Sequence, residues 1–212
     1  MKVLIFTSSY NRPYMLRQCV LSVKNQNVED LTHSVNITSE SPLAALTLID
    51  DLNDIVISIT DNNHTHFNNM TAIKAVDDYQ DYDLFIKMDD DDVYKADYVK
   101  NIITFFEKNS DVDIVSSEIK FQLNGTEVYL VNAKDLGGNV DVEYRMPMTY
   151  AFNKKALNAI INLEKKDMFG FDDMTWRIIW KAYKLKHAIV DNSQEVIWHI
   201  HGKNVSTSSF LK

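Results

Sequence analysis

Asp89, Asp90, Asp91 and Asp92 stand in a row immediately after the apolar run Leu84 to Met88. Carboxylates gathered at the end of a strand offer hard oxygen ligands of the kind that hold Mg2+ or Mn2+ against a diphosphate. Asp89 and Asp91 are two apart, so in an extended segment both point to one face. The plain alternative is a solvated acidic loop. An EF-hand is excluded, because counting from Asp89 the sixth and twelfth positions are Tyr94 and Lys100 rather than glycine and glutamate.

Three further groups have side chains suited to chemistry. Thr7-Ser8-Ser9-Tyr10-Asn11-Arg12 follows an apolar run and precedes a helical pattern, and it contains no glycine. A glycine-rich phosphate loop is therefore absent, and a ligand here would meet hydroxyls, an aromatic face and one arginine; an ordinary helix-capping loop is the competing reading. Phe169-Gly170-Phe171-Asp172-Asp173 sets two carboxylates at a helix start, where acids also simply complement the helix dipole. Asp173, Trp176 and Trp180 fall on one helical face, with Met174, Ile178, Ala182 and Leu185 opposite. That face could hold a sugar ring against indoles beside a base, although core packing is the commoner use of two tryptophans. Finally, His199 and His201, two apart and followed by Gly202-Lys203-Asn204, could ligate a metal through either imidazole.

The elements that must position these groups alternate. Lys2 to Phe6 reads as a buried strand, Arg12 to Gln26 as a helix, and His33 to Ile37 as a second strand. Ser41-Pro42 looks like an N-cap opening a helix to about Ile49, followed by a strand over Ile55 to Ile59. Asp61 to Asn68 is a polar loop, Asn69 to Tyr79 a helix, and Leu84 to Met88 the strand that meets the aspartates. This rhythm predicts an α/β fold with a mainly parallel mixed sheet flanked by helices. Later come a helix at Tyr98 to Phe106, strands at Ile114 to Leu123 and Glu127 to Val131 around the Asn124-Gly125 turn, a loop at Gly137-Gly138, helices at Lys154 to Leu163 and Asp172 to Leu185, and short strands at His187 to Val190 and Val196 to Ile200.

The chain has 212 residues and a net charge of −8, and no repeat or linker divides it. This predicts one domain over 1–205 with a polar tail, 206–212. The window Asp77 to Asp97 holds nine aspartates against Lys87 and Lys95, so nearly all of the imbalance sits around one strand end. A broadly basic nucleic-acid surface is excluded. Val3 to Phe6 is too short for a signal-peptide core, Cys19 is the sole cysteine, and no apolar run reaches the length of a membrane span, which together predict a cytoplasmic protein. Asn153 to His187 carries eight bases and four acids, which leaves room for peripheral contact with an anionic membrane.

In chain order the motifs resemble those of the family 2 glycosyltransferases of GT-A fold. The resemblance rests on Val3 to Pro13 with Leu16 and Ser22 to Gln26, on Asn69, on Lys87-Met88-Asp89-Asp90-Asp91-Asp92 as a DxD motif, on Phe171-Asp172-Asp173, and on His201-Gly202-Lys203-Asn204. It implies an inverting, metal-assisted transfer from a nucleotide-diphospho-sugar, usually UDP-linked, to a hydroxyl of a carbohydrate or glycolipid. By position, Thr7, Ser9, Tyr10, Arg12, Asn69, Asp89 and Asp90 would bind the donor, Asp91 with Asp89 and His201 the Mn2+ or Mg2+, and Trp176 and Trp180 the acceptor. Asp173 would be the general base, with Asp172 next in line. The sequence departs from the family in having Asn36, Ser39 and Glu40 where an aspartate-rich turn reads the base, and Asp172-Asp173 where Glu-Asp is usual.

Two rivals remain at this point. A haloacid-dehalogenase-type phosphatase would use Asp89 as nucleophile and Asp91 as acid, but its motif sits on the first strand and here three strand-helix units come first. A nucleotide-sugar-binding module without turnover would need the same residues.

Overall fold

The computed structural model describes residues 1–38, 42–49, 54–61, 64–117, 120–123, 126–130, 150–168, 172–190, 192 and 196–200. Its first half alternates strand and helix as the sequence predicts: β1 (Val3–Tyr10), α1 (Pro13–Lys24), β2 (Leu31–Thr38), α2 (Pro42–Ile49), β3 (Ile55–Thr60), α3 (Thr65–Lys74) and β4 (Leu84–Lys87). Then follow β5 (Val93–Tyr94), α4 (Tyr98–Lys108), β6 (Ile114–Ser117), β7 (Lys120–Leu123), β8 (Thr126–Leu130), β9 (Ala151–Asn153), α5 (Lys154–Ile160), α6 (Asp172–Ala182), β10 (His187–Val190) and β11 (Val196–Ile200).

A seven-stranded sheet runs β10-β6-β9-β4-β1-β2-β3. All its pairs are parallel except the two made by β9, which lies antiparallel between β4 and β6. Both faces of β1 are buried, which is why Val3 to Phe6 is continuously apolar rather than alternating. Val3 and Ile5 face Cys19 and Val23 of α1 and Tyr98, Ile102 and Phe106 of α4. Leu4 and Phe6 face Met70 and Ile73 of α3, Leu157 and Ile160 of α5, and Trp176 and Trp180 of α6. A third group joins Leu16 and Val20 of α1 to Val35, Ile37, Ala45 and Ile49.

A smaller sheet, β5-β11-β7-β8, stands beside the first. β5 pairs antiparallel with β11 through Val93 and Tyr94, so the four aspartates connect a strand of the large sheet to a strand of the small one. The predicted hairpin is present as antiparallel β7 and β8, but the single strand expected over Ile114 to Leu123 divides into β6 of the large sheet and β7 of the small one; the Asn124-Gly125 turn, the Gly137-Gly138 loop and the tail 206–212 lie outside the described residues.

Further elements differ from the sequence reading, among them β5, for which no strand is expected. β1 extends through Thr7 to Tyr10, because parallel pairing with β2 continues to Tyr10 opposite Thr38. The loop shrinks to Asn11 and Arg12, with Asn11 at φ 51°, a left-handed value that asparagine tolerates. The helix expected over Asn69 to Tyr79 instead spans Thr65–Lys74. His66 and Asn68 are buried polar residues, so its start reads as loop, while at its other end the helix stops at Lys74 and is capped by Ala75, before the turn at Asp78 with φ 55°. Finally, β9 is three residues long and gives no periodic signal; it is held by Asp113, which accepts from Asn153, Lys155 and the Lys186 backbone at 2.8–3.1 Å.

Candidate active site

The chain runs outward from β1 to β2 and β3, then returns to place β4 on the other side of β1. At such a reversal the loops leaving the two neighbouring strands diverge and open a crevice at their carboxyl ends. Here those ends are Tyr10-Asn11-Arg12 and Met88 to Asp92, the two segments singled out in the sequence.

Within the acidic run, burial alternates. Asp90 and Asp92 are buried while Asp89 and Asp91 are partly exposed, so the two residues of the expected DxD pair share the open side. The turn is fixed from below by Tyr94, whose hydroxyl accepts from the Asp89 backbone amide at 2.9 Å. The run draws in two cations. Buried Lys87 reaches Asp89 at 2.5 Å, and Arg12 reaches from the first residue before α1 to pair with Asp90 at 2.6 Å and with Asp91. Burial pushes the Asp90 carboxyl upward, with Arg12 opposing. Burial works against the charge of Arg12 itself, but Asp90, Asp91 and Asp89 more than offset it and hold the guanidinium above its ordinary value. A protein-borne cation between two carboxylates shows that this run demands positive charge, and its oxygen donors suit a hard divalent ion.

The remaining donor-side residues are placed differently. Tyr10 is half exposed at the crevice, while Ser9 is buried. Thr7 is fully buried, its hydroxyl 3.0 Å from His33 Nε2 and 3.8 Å from Cys19 Sγ, so it is turned into the interior. Asn69 is likewise buried and donates to Asp172 at 3.0 Å, so its amide is engaged with the head of α6. At the ends of β2 and β3, Asn36 donates to Ser58 at 3.0 Å, and Thr60 Oγ1 stands 3.1 Å from Asn36 and 2.9 Å from Asn68. This polar group lines the edge where the sequence lacks an aspartate-rich turn; Ser39 and Glu40 lie outside the described residues.

At the head of α6, Asp172 is buried against Asn69. The side chains of Asp173 and His199, and all of His201, lie outside the described residues. The expected acceptor platform is not formed by the indoles. Trp176 and Trp180 are both fully buried, packed on Phe152 and on each other, and their N–H groups are spent on His66 Nδ1 at 2.9 Å and the Ala156 carbonyl at 3.0 Å. Met174 and Ile178, taken as the opposite face, are the exposed ones. The helix is amphipathic in the reverse sense because two aromatic rings bury more apolar area than the Met and Ile side chains.

Sequence reading gave no role to Tyr94 or His66. The first could have been found as an aromatic hydroxyl one short turn beyond the acids; nothing in the sequence marks the second.

The sequence profile of Glycosyl transferase family 2 matches residues 4–172, from β1 through the acid pair's first member. The chain belongs to this family. Membership removes the phosphatase reading of Asp89 and Asp91. This family 2 chain resembles S. aureus TarS at 15% identity and a TM-score of 0.69, covering 94% of this chain and 37% of that one. It resembles S. aureus TarS 1-349 in complex with UDP-GlcNAc at 14% identity and TM-score 0.69, covering 98% and 61%. The mannosyltransferase PcManGT from Pyrobaculum calidifontis, in complex with GDP-Man and Mn2+, gives 13% identity and TM-score 0.70, covering 99% and 59%. At these identities the likeness is one of fold, the GT-A fold, and the chain spans under two thirds of each of these structures. No curated protein sequence matches the chain.

Proposed function

We propose that this chain transfers a sugar from a nucleotide-diphospho-sugar, UDP-linked, to a hydroxyl of a carbohydrate or glycolipid, with inversion at the anomeric carbon. The observation that carries the reading is the Arg12 bridge to Asp90 and Asp91 across the β1–β4 crevice, inside the segment that matches the family. UDP-GlcNAc and GDP-Man with Mn2+ are held by the similar structures, which supports a diphosphate donor here.

Asp91, with Asp89 beside it, would hold Mn2+ or Mg2+, and His201 is the candidate third ligand. Among the described residues no three His, Cys, Asp or Glu side chains converge, which fits ions that bind through one or two carboxylates plus substrate phosphates. The ion, when bound, neutralises charge on the departing diphosphate. The chain's own part is otherwise electrostatic and geometric. Arg12 leaves the carboxylates and turns to the diphosphate, Tyr10 and Ser9 border the nucleotide, and the Asn36, Thr60 and Asn68 group lies where the base would be read. Asp173 would take the proton from the acceptor hydroxyl, with Asp172, which accepts from Asn69, next in line. The acceptor meets the exposed parts of α6 and its surroundings rather than the buried indoles.

No helix among the described residues is long and apolar enough to cross a membrane, and the basic stretch Asn153 to His187 would allow peripheral contact at a membrane's cytoplasmic face. The reading is tested by incubating the protein with UDP-, GDP- and CDP-sugars and Mn2+ and measuring release of the nucleoside diphosphate. Release from one donor class supports transfer. Nucleotide binding without release from any donor would favour a binding module.

A further inference from the structure

The acid pair at the head of α6 is tied to α3 by two polar side-chain bonds. Asn69 donates to Asp172 at 3.0 Å, and the Trp176 indole N–H donates to His66 Nδ1 at 2.9 Å. His66 and Asn69 are three apart on α3, and Asp172 and Trp176 four apart on α6, so one face of each helix supplies both members. All four residues are buried. An apolar contact at these positions would hold the helices together as well or better, since burying amide and imidazole is costly. The cost is visible: Asn69 Oδ1 and His66 Nε2 are buried and have no hydrogen-bond partner. Hydrogen bonds differ from apolar packing in fixing direction and register, which is what a catalytic carboxylate needs from its support.

We propose that His66 and Asn69 are positioning residues that set the first turn of α6, and through it the backbone position of the acid pair Asp172-Asp173. Asn69 acts on the acid pair directly. His66 acts four residues further along, preventing the helix from rotating about its own axis. Because Nδ1 accepts from the indole, the imidazole must be the neutral tautomer that carries its proton on Nε2. The inference rests on the transferase reading given above, but its structural half can be tested apart from it.

The experiment compares wild type with His66→Phe, His66→Asn and Asn69→Leu. Asparagine can present an acceptor near the position of Nδ1, whereas phenylalanine cannot. With the donor sugar that wild type hydrolyses, His66→Phe and Asn69→Leu should lower kcat about 30-fold or more at a KM within about threefold of wild type, and His66→Asn should recover most of the loss. Amide hydrogen exchange at Asp172 to Thr175 should quicken in the first two variants and return toward wild type in His66→Asn. KM and kcat shifting together, kcat unchanged, or equal loss in His66→Asn and His66→Phe would overturn the proposal. If wild type hydrolyses no donor, the transferase reading fails, and the exchange data still decide: unaltered protection at the start of α6 rejects the positioning role, and selective loosening supports it.

Discussion

The guanidinium of Arg12, at the end of β1, spans Asp90 and Asp91, at the end of β4, with 2.6 Å between Nη2 and the Asp90 carboxylate. It closes the crevice between the two strands and compensates a carboxylate that is almost wholly buried. The same contact explains how an acidic run can sit at a strand end without forcing the loops apart.

Arg12→Gln should therefore cost about 2–4 kcal/mol of stability, because it strands the buried Asp90 without its partner. Urea unfolding at neutral pH measures it. The variant should also gain more in melting temperature from Mn2+ alone than wild type does, since the ion no longer competes with a tethered cation. Stability equal to wild type would show that the bridge carries no weight.

Two buried histidines give a pH signature. Burial lowers His33 to about 3 and His66 to about 4. Between about pH 6.5 and 4 the unfolded chain therefore takes up protons that the folded chain does not, and their stabilising contribution, full above pH 6.5, is lost as the pH falls. Each can contribute a slope of up to about 1.4 kcal/mol per pH unit. Asp90, raised by burial, acts with the opposite sign, so the observable is a difference: His66→Asn should flatten the loss relative to wild type by about one proton's slope. Parallel pH profiles for the two proteins would contradict the burial of His66 as a neutral acceptor.

Trp176→Ala and Trp180→Ala should behave as core truncations, each costing about 3–5 kcal/mol. Exposed Met174→Ser and Ile178→Ser should change stability by less than about 1 kcal/mol. Thermal denaturation separates the pairs. A stable Trp180→Ala protein with a selective rise in acceptor KM would reinstate the indoles as an acceptor platform.

Asp113→Ala should destabilise by about 2–4 kcal/mol although it lies far along the sheet from the acidic run, because one carboxylate joins β6, β9 with α5, and the start of β10. Burial opposes its charge, but the Lys186 amide, Lys155 and Asn153 together hold the carboxyl below its ordinary value. Its stabilisation is complete above the ordinary carboxylate range and disappears as the pH falls through the depressed value. Chemical denaturation of wild type and variant should converge at acid pH; a constant gap down to pH 2 would argue against the charge and for packing alone.

Much of this architecture was legible because parallel strands buried on both faces must be apolar runs, and Val3 to Phe6 and Leu84 to Met88 are such runs. The placing of Asp89 to Asp92 and Arg12 at strand ends followed from that. What was not legible depends on side chains meeting across the fold. Trp176 and Trp180 share a helical face with Asp173, but a sequence cannot say whether that face turns inward; Phe152, on a strand too short to give a pattern, decided it. The start of α3 was missed because His66 and Asn68 look like loop residues until Trp176 and Thr60 are there to meet them. Thr7 read as part of a ligand loop, whereas His33, from the neighbouring strand, claims its hydroxyl.

The central claim is that the acids after β4 hold a divalent ion together with a nucleoside diphosphate. Thermal unfolding of wild type and Asp91→Ala, with UDP and Mn2+ added singly and together, tests it most directly. UDP should raise the melting temperature of wild type only when Mn2+ is present, and Asp91→Ala should abolish that rise while remaining folded. Stabilisation by UDP without metal, an undiminished rise in Asp91→Ala, or no response to UDP, GDP or CDP under any of these conditions would contradict the account.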